Sequence, residues 1–375
     1  MAQPNPQSAP ARVQPFTDEP IALLDDSGRW SAPFAPGLDD QALRRMYADL
    51  VTARLLDERL EKLLRTGRIT FVASARGHEA AQVGMAHAMR RGHDWLFPYY
   101  RDTGTAAALY AHAELLAQYQ ATRCDTAKGR QMPAHPGSVE AHVFTTCSSI
   151  ASQIPPAVGM AMAAQLLDND EVTVVSFGEG ATSEGDWAAA FNLASARKAP
   201  VVFVCQNNGY AISVNYAKQT GSKRICDRAQ AYDMPGYLVD GMDAMAVYHS
   251  VHQAIEDARA GQGPALVEAL VYRYGPHSSD DDDTVYRSRE EVERWQKRDP
   301  LPRFRAFLES RNLWDAEQEE ALYQDTAAEL AETADRVAAS GEPPVDWMFD
   351  DVYAERPWHL QEQSALVRAE QEAGG

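Results

Sequence analysis

The sequence predicts an α/β protein with a doubly wound, mostly parallel sheet flanked by helices, and three observations lead there. A β-branched run at 171–177 passes through a glycine-rich turn into a helical stretch at 186–198, and then into a second run at 201–205. Both runs are almost continuously apolar, the pattern of parallel strands buried on both faces. A third run, 265–272, follows a helical stretch at 244–260, so strands alternate with helices.

The remaining elements follow in order. The first twenty residues are rich in Pro, Gln and Ala and read as a flexible arm, with residues up to 40 as lead-in. Over 41–65, apolar residues such as Leu43, Met46, Leu50 and Leu60 recur mostly at three- and four-residue steps, with Asp39 or Asp40 as cap and Gly67 beyond. Helices are expected at 78–91 and 102–120, joined by an aromatic turn from Trp95 to Tyr100. Pro155 and Pro156 open a helix over 157–167, in which Gly159 and Ala163 permit close approach to a neighbour. A polar loop at 277–288 leads into helical, charge-rich sequence. Length alone suggests about two domains at ~150 residues each. The motifs below instead join 41–366 into one unit, with 367–375 as tail.

Composition narrows the function. The 375 residues carry Lys+Arg 35 against Asp+Glu 54, a net charge of −19 that repels phosphate backbones and anionic membranes. Nucleic acid is therefore not an expected partner. The four cysteines are scattered, with no C-x-x-C pair, and read as reduced cytoplasmic thiols. The first twenty residues show no apolar stretch behind a basic start, so a secretory signal is not expected there. Residues 141–167 lack charge, but His142, Gln153, Pro155 and Pro156 suit a soluble buried segment better than a membrane span.

The turn after the first strand reads Gly178-Glu179-Gly180-Ala181-Thr182-Ser183. Glycines there let the backbone approach a phosphate. A dinucleotide fingerprint would need glycine where Ser183 stands, and no acidic residue closes the second strand. A carboxylate at Glu179 would repel phosphate unless a cation lay between them, and magnesium takes such mixed oxygen shells. The second strand runs into Gln206-Asn207-Asn208-Gly209-Tyr210. Adjacent parallel strands present their carboxyl ends on one edge, so Glu179 and Asn208 are expected together.

Gly-Glu-Gly, 26 residues, then Asn-Asn resembles the thiamine-diphosphate binding motif. Tyr99-Tyr100-Arg101, Lys128 to Pro133, Ser148 to Pro155, Asn207 to Ser213, and His277-Ser278 with Tyr286 to Ser288 extend the likeness. Together they resemble the α subunit of the branched-chain 2-oxoacid dehydrogenase decarboxylating component, over about Gln41 to Leu366.

That resemblance implies a thiamine-diphosphate-binding fold and a reaction that decarboxylates a small 2-oxoacid and passes the acyl group to a lipoyl-bearing transacylase. It implies a separate β subunit in an α2β2 tetramer, with branched-chain substrates favoured over pyruvate. Glu179, Asn208 and the Tyr210 carbonyl would bind magnesium. Gly178, Gly180 and Ala181 would face the diphosphate, with Tyr100 and Arg101 holding its oxygens. Ser148 and Ile150 would lie against the aminopyrimidine. His277 would touch the phosphate and assist catalysis. Cys147, Ser149, Ser152 and Gln153 match positions that ligate potassium, and Ser278 and Ser288 match positions phosphorylated in animal members.

Two residues depart from the pattern. Gln206, which by its position would be expected to bind the cofactor, stands where some members have a phosphate-binding arginine, and Ser149 replaces a proline. Other chemistries lack support: His78-Glu79 has no second histidine for a zinc motif, no G-x-S-x-G elbow occurs, and the aspartates at 280–283 lack calcium-loop spacing. Cys205 lies in an apolar strand and suits a core position. A nicotinamide-binding oxidoreductase and a purely structural partner stand as the competing readings.

Overall fold

The computed structural model describes residues 12–374. Helix α1 (Asp40–Arg65) is capped by Asp39, whose carboxylate accepts from the Ala42 amide at 2.7 Å. Its apolar stripe is buried, as the three- and four-residue spacing requires. Helix α2 (Glu79–Ala88) follows, and then the chain enters strand β1 (Trp95–Phe97). An aromatic turn was expected there. Instead Trp95–Phe97 pairs in parallel with Thr173–Val175, and the turn begins only at Tyr99.

The expected helix 102–120 is two helices, α3 (Thr103–Leu109) and α4 (His112–Gln120), broken where Tyr110 becomes extended. The break has a packing cause. Every residue of α3 is buried, with α3 against α1 and α2, whereas α4 packs on the helix Ala316–Ala338. One straight helix could not serve both neighbours.

Helix α5 (Ile154–Leu166) precedes β2 (Thr173–Gly178), α6 (Gly185–Arg197) and β3 (Val201–Asn207). The close approach expected at Gly159 is absent among the described residues, where a Cβ would meet nothing within 4 Å. A short hairpin, β4 (Tyr210–Ala211) and β5 (Val214–Asn215), leads to α7 (Tyr216–Gln219). Then come β6 (Gly236–Asp240), α8 (Ala244–Arg259) and β7 (Ala265–Leu270). Helices α9 (Arg289–Gln296), α10 (Pro300–Ser310), α11 (Ala316–Ala338) and α12 (Trp358–Gly374) complete the described chain. Since α12 runs through residue 366, no tail separates there.

The main sheet has strand order β1-β2-β3-β7-β6, parallel at every pairing. Period-two alternation distributes its side chains to two cores. Val174, Val202, Val204 and Val267 pack toward α1, α2 and α8, while Val175, Val201, Phe203 and Leu266 pack toward α5 and α6. This is the doubly wound architecture. Strand β6 was not anticipated, because only Tyr237, Leu238 and Val239 are apolar between Gly236 and Asp240.

The flexible-arm expectation is corrected from residue 12 onward; residues 1–11 lie outside the described part. Ile21 bridges to Val239 in parallel and covers the edge of β6, while the Asp243 carboxylate accepts the Leu23 and Leu24 amides at 2.7 Å. Covering an edge strand removes a site for unwanted pairing. Among the described residues no helix is long and apolar enough to cross a membrane, and all four cysteines are free.

Candidate functional site

Because β1, β2 and β3 are parallel, the segments leaving them meet on one sheet edge. They close a cavity of about 460 Å³. Tyr100 and Arg101 come from the segment after β1; Gly178, Glu179, Gly180 and Ala181 from the turn after β2; Asn208 and Tyr210 from the turn after β3. Ser148, Ile150 and His277 line it from two long loops.

The glycine-rich turn is a short 3-10 segment, Glu179–Ser183. A Cβ on Gly180 would lie 3.0 Å from that of Ala211, so glycine lets the hairpin approach. Gly209 has φ +81°, which lets the Asn-Asn turn reverse. The register Gly178↔Gln206 then places Asn208 beside Glu179, and the Asn208 amide donates to Glu179 Oε2 at 3.3 Å. Asn208 Oδ1 accepts the Tyr210 amide at 3.1 Å.

Glu179 is 1% exposed, and its Oε1 has no hydrogen-bond partner among the described residues. Burial pushes its pKa up to about 6. A buried carboxylate with an unpartnered oxygen is costly unless a cation reaches it.

Arg101 is also buried. Its Nη1 donates to the Ser74 carbonyl at 2.7 Å, and its Nη2 to the His277 carbonyl at 2.9 Å and to His277 Nδ1 at 3.2 Å. Desolvation, then Arg101 and Arg273, lower the His277 pKa to about 4. His277 is therefore neutral at pH 7, with Nδ1 accepting and the proton on Nε2. Its loop is pinned: the Asp281 carboxylate accepts the His277 amide at 2.7 Å and the Tyr286 hydroxyl at 2.5 Å.

Gln206 requires a correction. It is fully buried and does not line the cavity. Its Oε1 receives His78 Nδ1 at 3.0 Å and Gln82 Nε2 at 3.2 Å, and its Nε2 donates to Asp102 at 2.5 Å. Alternation along β3 explains this, since Gln206 shares the face of Val202 and Val204, toward α2.

Cys147, Ser149, Ser152 and Gln153 also stand outside the lining. Ser152 Oγ donates to the Ser149 carbonyl at 2.6 Å, and Gln153 Nε2 to the Ser176 carbonyl at 2.8 Å. Gln153 Oε1 is buried without a partner.

Sequence reasoning missed several lining residues. His135 is buried, with Nδ1 on the Pro133 carbonyl at 2.9 Å and Nε2 on Ser148 Oγ at 2.5 Å. Gln219 donates to the Glu179 carbonyl at 2.8 Å, and Arg273 arrives from beyond β7. Met132, Ile212 and Val214 form part of the wall and are 52%, 56% and 45% exposed, as is Ile150 at 44%. The apolar residues Ile212 and Val214 just after the Asn-Asn-Gly turn were the available signal for part of this rim.

Over most of its length the chain is similar to known proteins. The model of the dehydrogenase E1 component family matches residues 47–346. The chain is 42% identical over 322 residues to the 2-oxoisovalerate dehydrogenase subunit alpha of Bacillus subtilis (strain 168), covering 85% of this chain and 98% of that protein. It is 39% identical over 355 residues to the 3-methyl-2-oxobutanoate dehydrogenase subunit alpha of Mycobacterium tuberculosis, covering 94% of each. Against the mitochondrial 2-oxoisovalerate dehydrogenase subunit alpha of Homo sapiens it is 38% identical over 350 residues, covering 92% and 78%.

Proposed function

The chain belongs to the dehydrogenase E1 component family, and from that premise we propose that it is the α subunit of a branched-chain 2-oxoacid dehydrogenase. It decarboxylates 3-methyl-2-oxobutanoate and related 2-oxoacids with thiamine diphosphate, and passes the acyl group to a lipoyl group on a transacylase. The observation that carries this reading is Glu179: a buried carboxylate with an open oxygen, beside Asn208, in a cavity that also holds Arg101.

The donor set fits magnesium, which accepts one or two protein oxygens and completes its shell with phosphate and water. Glu179 Oε1, Asn208 Oδ1 and the Tyr210 carbonyl would hold it. For potassium, Gln153 Oε1 is open, and the Ser149 carbonyl keeps a second lone pair beside its bond from Ser152. When bound, thiamine diphosphate supplies the nucleophilic carbon and the electron sink for loss of carbon dioxide.

The chain's own residues bind and orient. Gly178, Gly180 and Ala181 bring backbone close to the diphosphate, and Arg101 meets its oxygens with a fixed fork. Tyr100 lies against His277, with ring centroids 5.9 Å apart. Neutral His277 can donate from Nε2 and so hold a proton at the phosphate end. Ser148 and Ile150 form the wall for the aminopyrimidine.

The exposed rim supports a second subunit, because Met132, Ile150, Ile212 and Val214 leave apolar surface at the mouth of a polar site. The β subunit would cover it in an α2β2 assembly, placed in the cytoplasm. The test uses the chain with and without that subunit, with magnesium and thiamine diphosphate, on 2-oxoisovalerate and pyruvate. Activity should require both subunits and favour 2-oxoisovalerate. Turnover by the lone chain, or preference for pyruvate, would overturn the corresponding part.

A further inference from the structure

The same cavity holds a second arginine that no motif singled out. Arg273 is 1% exposed and lines the wall. Its Nε donates to the Gly275 carbonyl at 3.2 Å, and its Nη2 to the Ile212 carbonyl at 3.1 Å and the Tyr286 hydroxyl at 2.7 Å. None of these partners is a carboxylate. Its Nη1 is buried with no hydrogen-bond partner among the described residues. Leaving a donor of a buried cation unsatisfied is unfavourable, so the position calls for an anionic acceptor.

The charge balance agrees. Arg101 and Arg273 both line the cavity, whereas among the described residues Glu179 is the one carboxylate in its lining. Adding a divalent cation makes the pocket strongly positive inside an acidic chain. A terminal phosphate carries about −1.5 to −2 at neutral pH, and an inner phosphate adds about one more negative charge. Arg101 alone, opposed by Glu179, would leave much of that charge to the metal. Gln206 contributes none, being turned away beneath the sheet.

We propose that Arg273 is a second diphosphate-binding cation, whose open Nη1 donates to a phosphate oxygen of the bound cofactor. This deepens the reading of the cavity as a thiamine-diphosphate site and rests on it. Arg273 then has two tasks, since its other nitrogens tie Ile212 and Tyr286 to the cavity wall. The free nitrogen distinguishes the anion-binding task from the tethering one.

The test is calorimetric titration of the assembled complex, stripped of cofactor, with magnesium thiamine diphosphate and separately with magnesium and inorganic diphosphate. Arg273→Gln should weaken both by at least about tenfold, the scale of one charge-assisted hydrogen bond. Arg273→Lys should recover part of the loss and keeps the test available if the glutamine variant does not fold. Tyr286→Phe, which removes one tether and no charge, should cost less than about threefold. The assignment falls if Arg273→Gln binds both ligands like wild type, if only the 2-oxoacid KM rises, or if Tyr286→Phe loses as much as Arg273→Gln. Failure of the wild-type complex to bind magnesium thiamine diphosphate would instead remove the cofactor reading, and this assignment with it.

Discussion

The floor and the rim of the cavity are built on opposite principles. On the floor, Glu179, Arg101 and Asn208 are each less than 10% exposed and held by backbone or neighbouring side chains. On the rim, Met132, Ile150, Ile212 and Val214 are about half exposed and apolar. A preorganised polar floor favours binding because its groups need no reordering when ligand arrives. An open apolar rim gains stability only when something else covers it. On the function proposed above, this floor would hold phosphate and metal, and a partner subunit would cover the rim.

Glu179→Gln should break the floor most severely. Magnesium-dependent binding of thiamine diphosphate should fall by about a hundredfold or more, because a charged metal ligand is lost. Thermal stability should hold or rise, since an unpaired buried carboxylate goes with it. A parallel drop in melting temperature and affinity would show that Glu179 is structural.

Ile212→Asp tests the rim. The lone chain should melt within the range of an ordinary surface change, about 0.5 kcal/mol, while capture of the β subunit weakens by about tenfold. Unchanged assembly would place the partner elsewhere.

The acid response sharpens the same contrast. Beneath the floor, His78 is fully buried, and burial, then Arg101, lowers its pKa from 6.5 to about 3. Its neutral form is stabilising above pH 6.5, and this contribution is lost as pH falls from 6.5 toward 3, because the unfolded chain binds the proton first. His78→Gln should therefore flatten the fall of stability over that window, by up to about 1.4 kcal/mol per pH unit. Denaturant melts at stepped pH would measure it, and identical slopes would refute it.

The smallest effect belongs far from the site. Asp39→Ala removes the cap of α1 and should cost about 1 kcal/mol with no change in cofactor affinity.

Much of the floor was legible because its parts are local. Gly178 to Gly180 and Asn207 to Tyr210 each lie on one turn, and the parallel-strand rule brings the two turns together. Arg101 and His277 were reached by likeness to a known family rather than by spacing. Gln206 was misplaced although its signal was present: alternation with Val202 and Val204 already directed it toward α2. Arg273, His135 and Gln219 carried no local signal, since each reaches the cavity from a separate segment of the chain. Strand β6 was too short to announce itself, and the break at Tyr110 depended on which neighbours α3 and α4 would meet.

The sequence by itself determined the alternation of strands and helices, the two buried faces, and the acidic turn that calls for a cation. Local pattern suffices for these because each rests on periodicity or a single turn. Only the tertiary structure decided which long-range side chains complete the wall, where Gln206 is spent, and that an arginine nitrogen stands open in the cavity that Glu179 lines. Those outcomes depend on packing among segments up to two hundred residues apart in the chain, where burial fixes partners that spacing cannot specify.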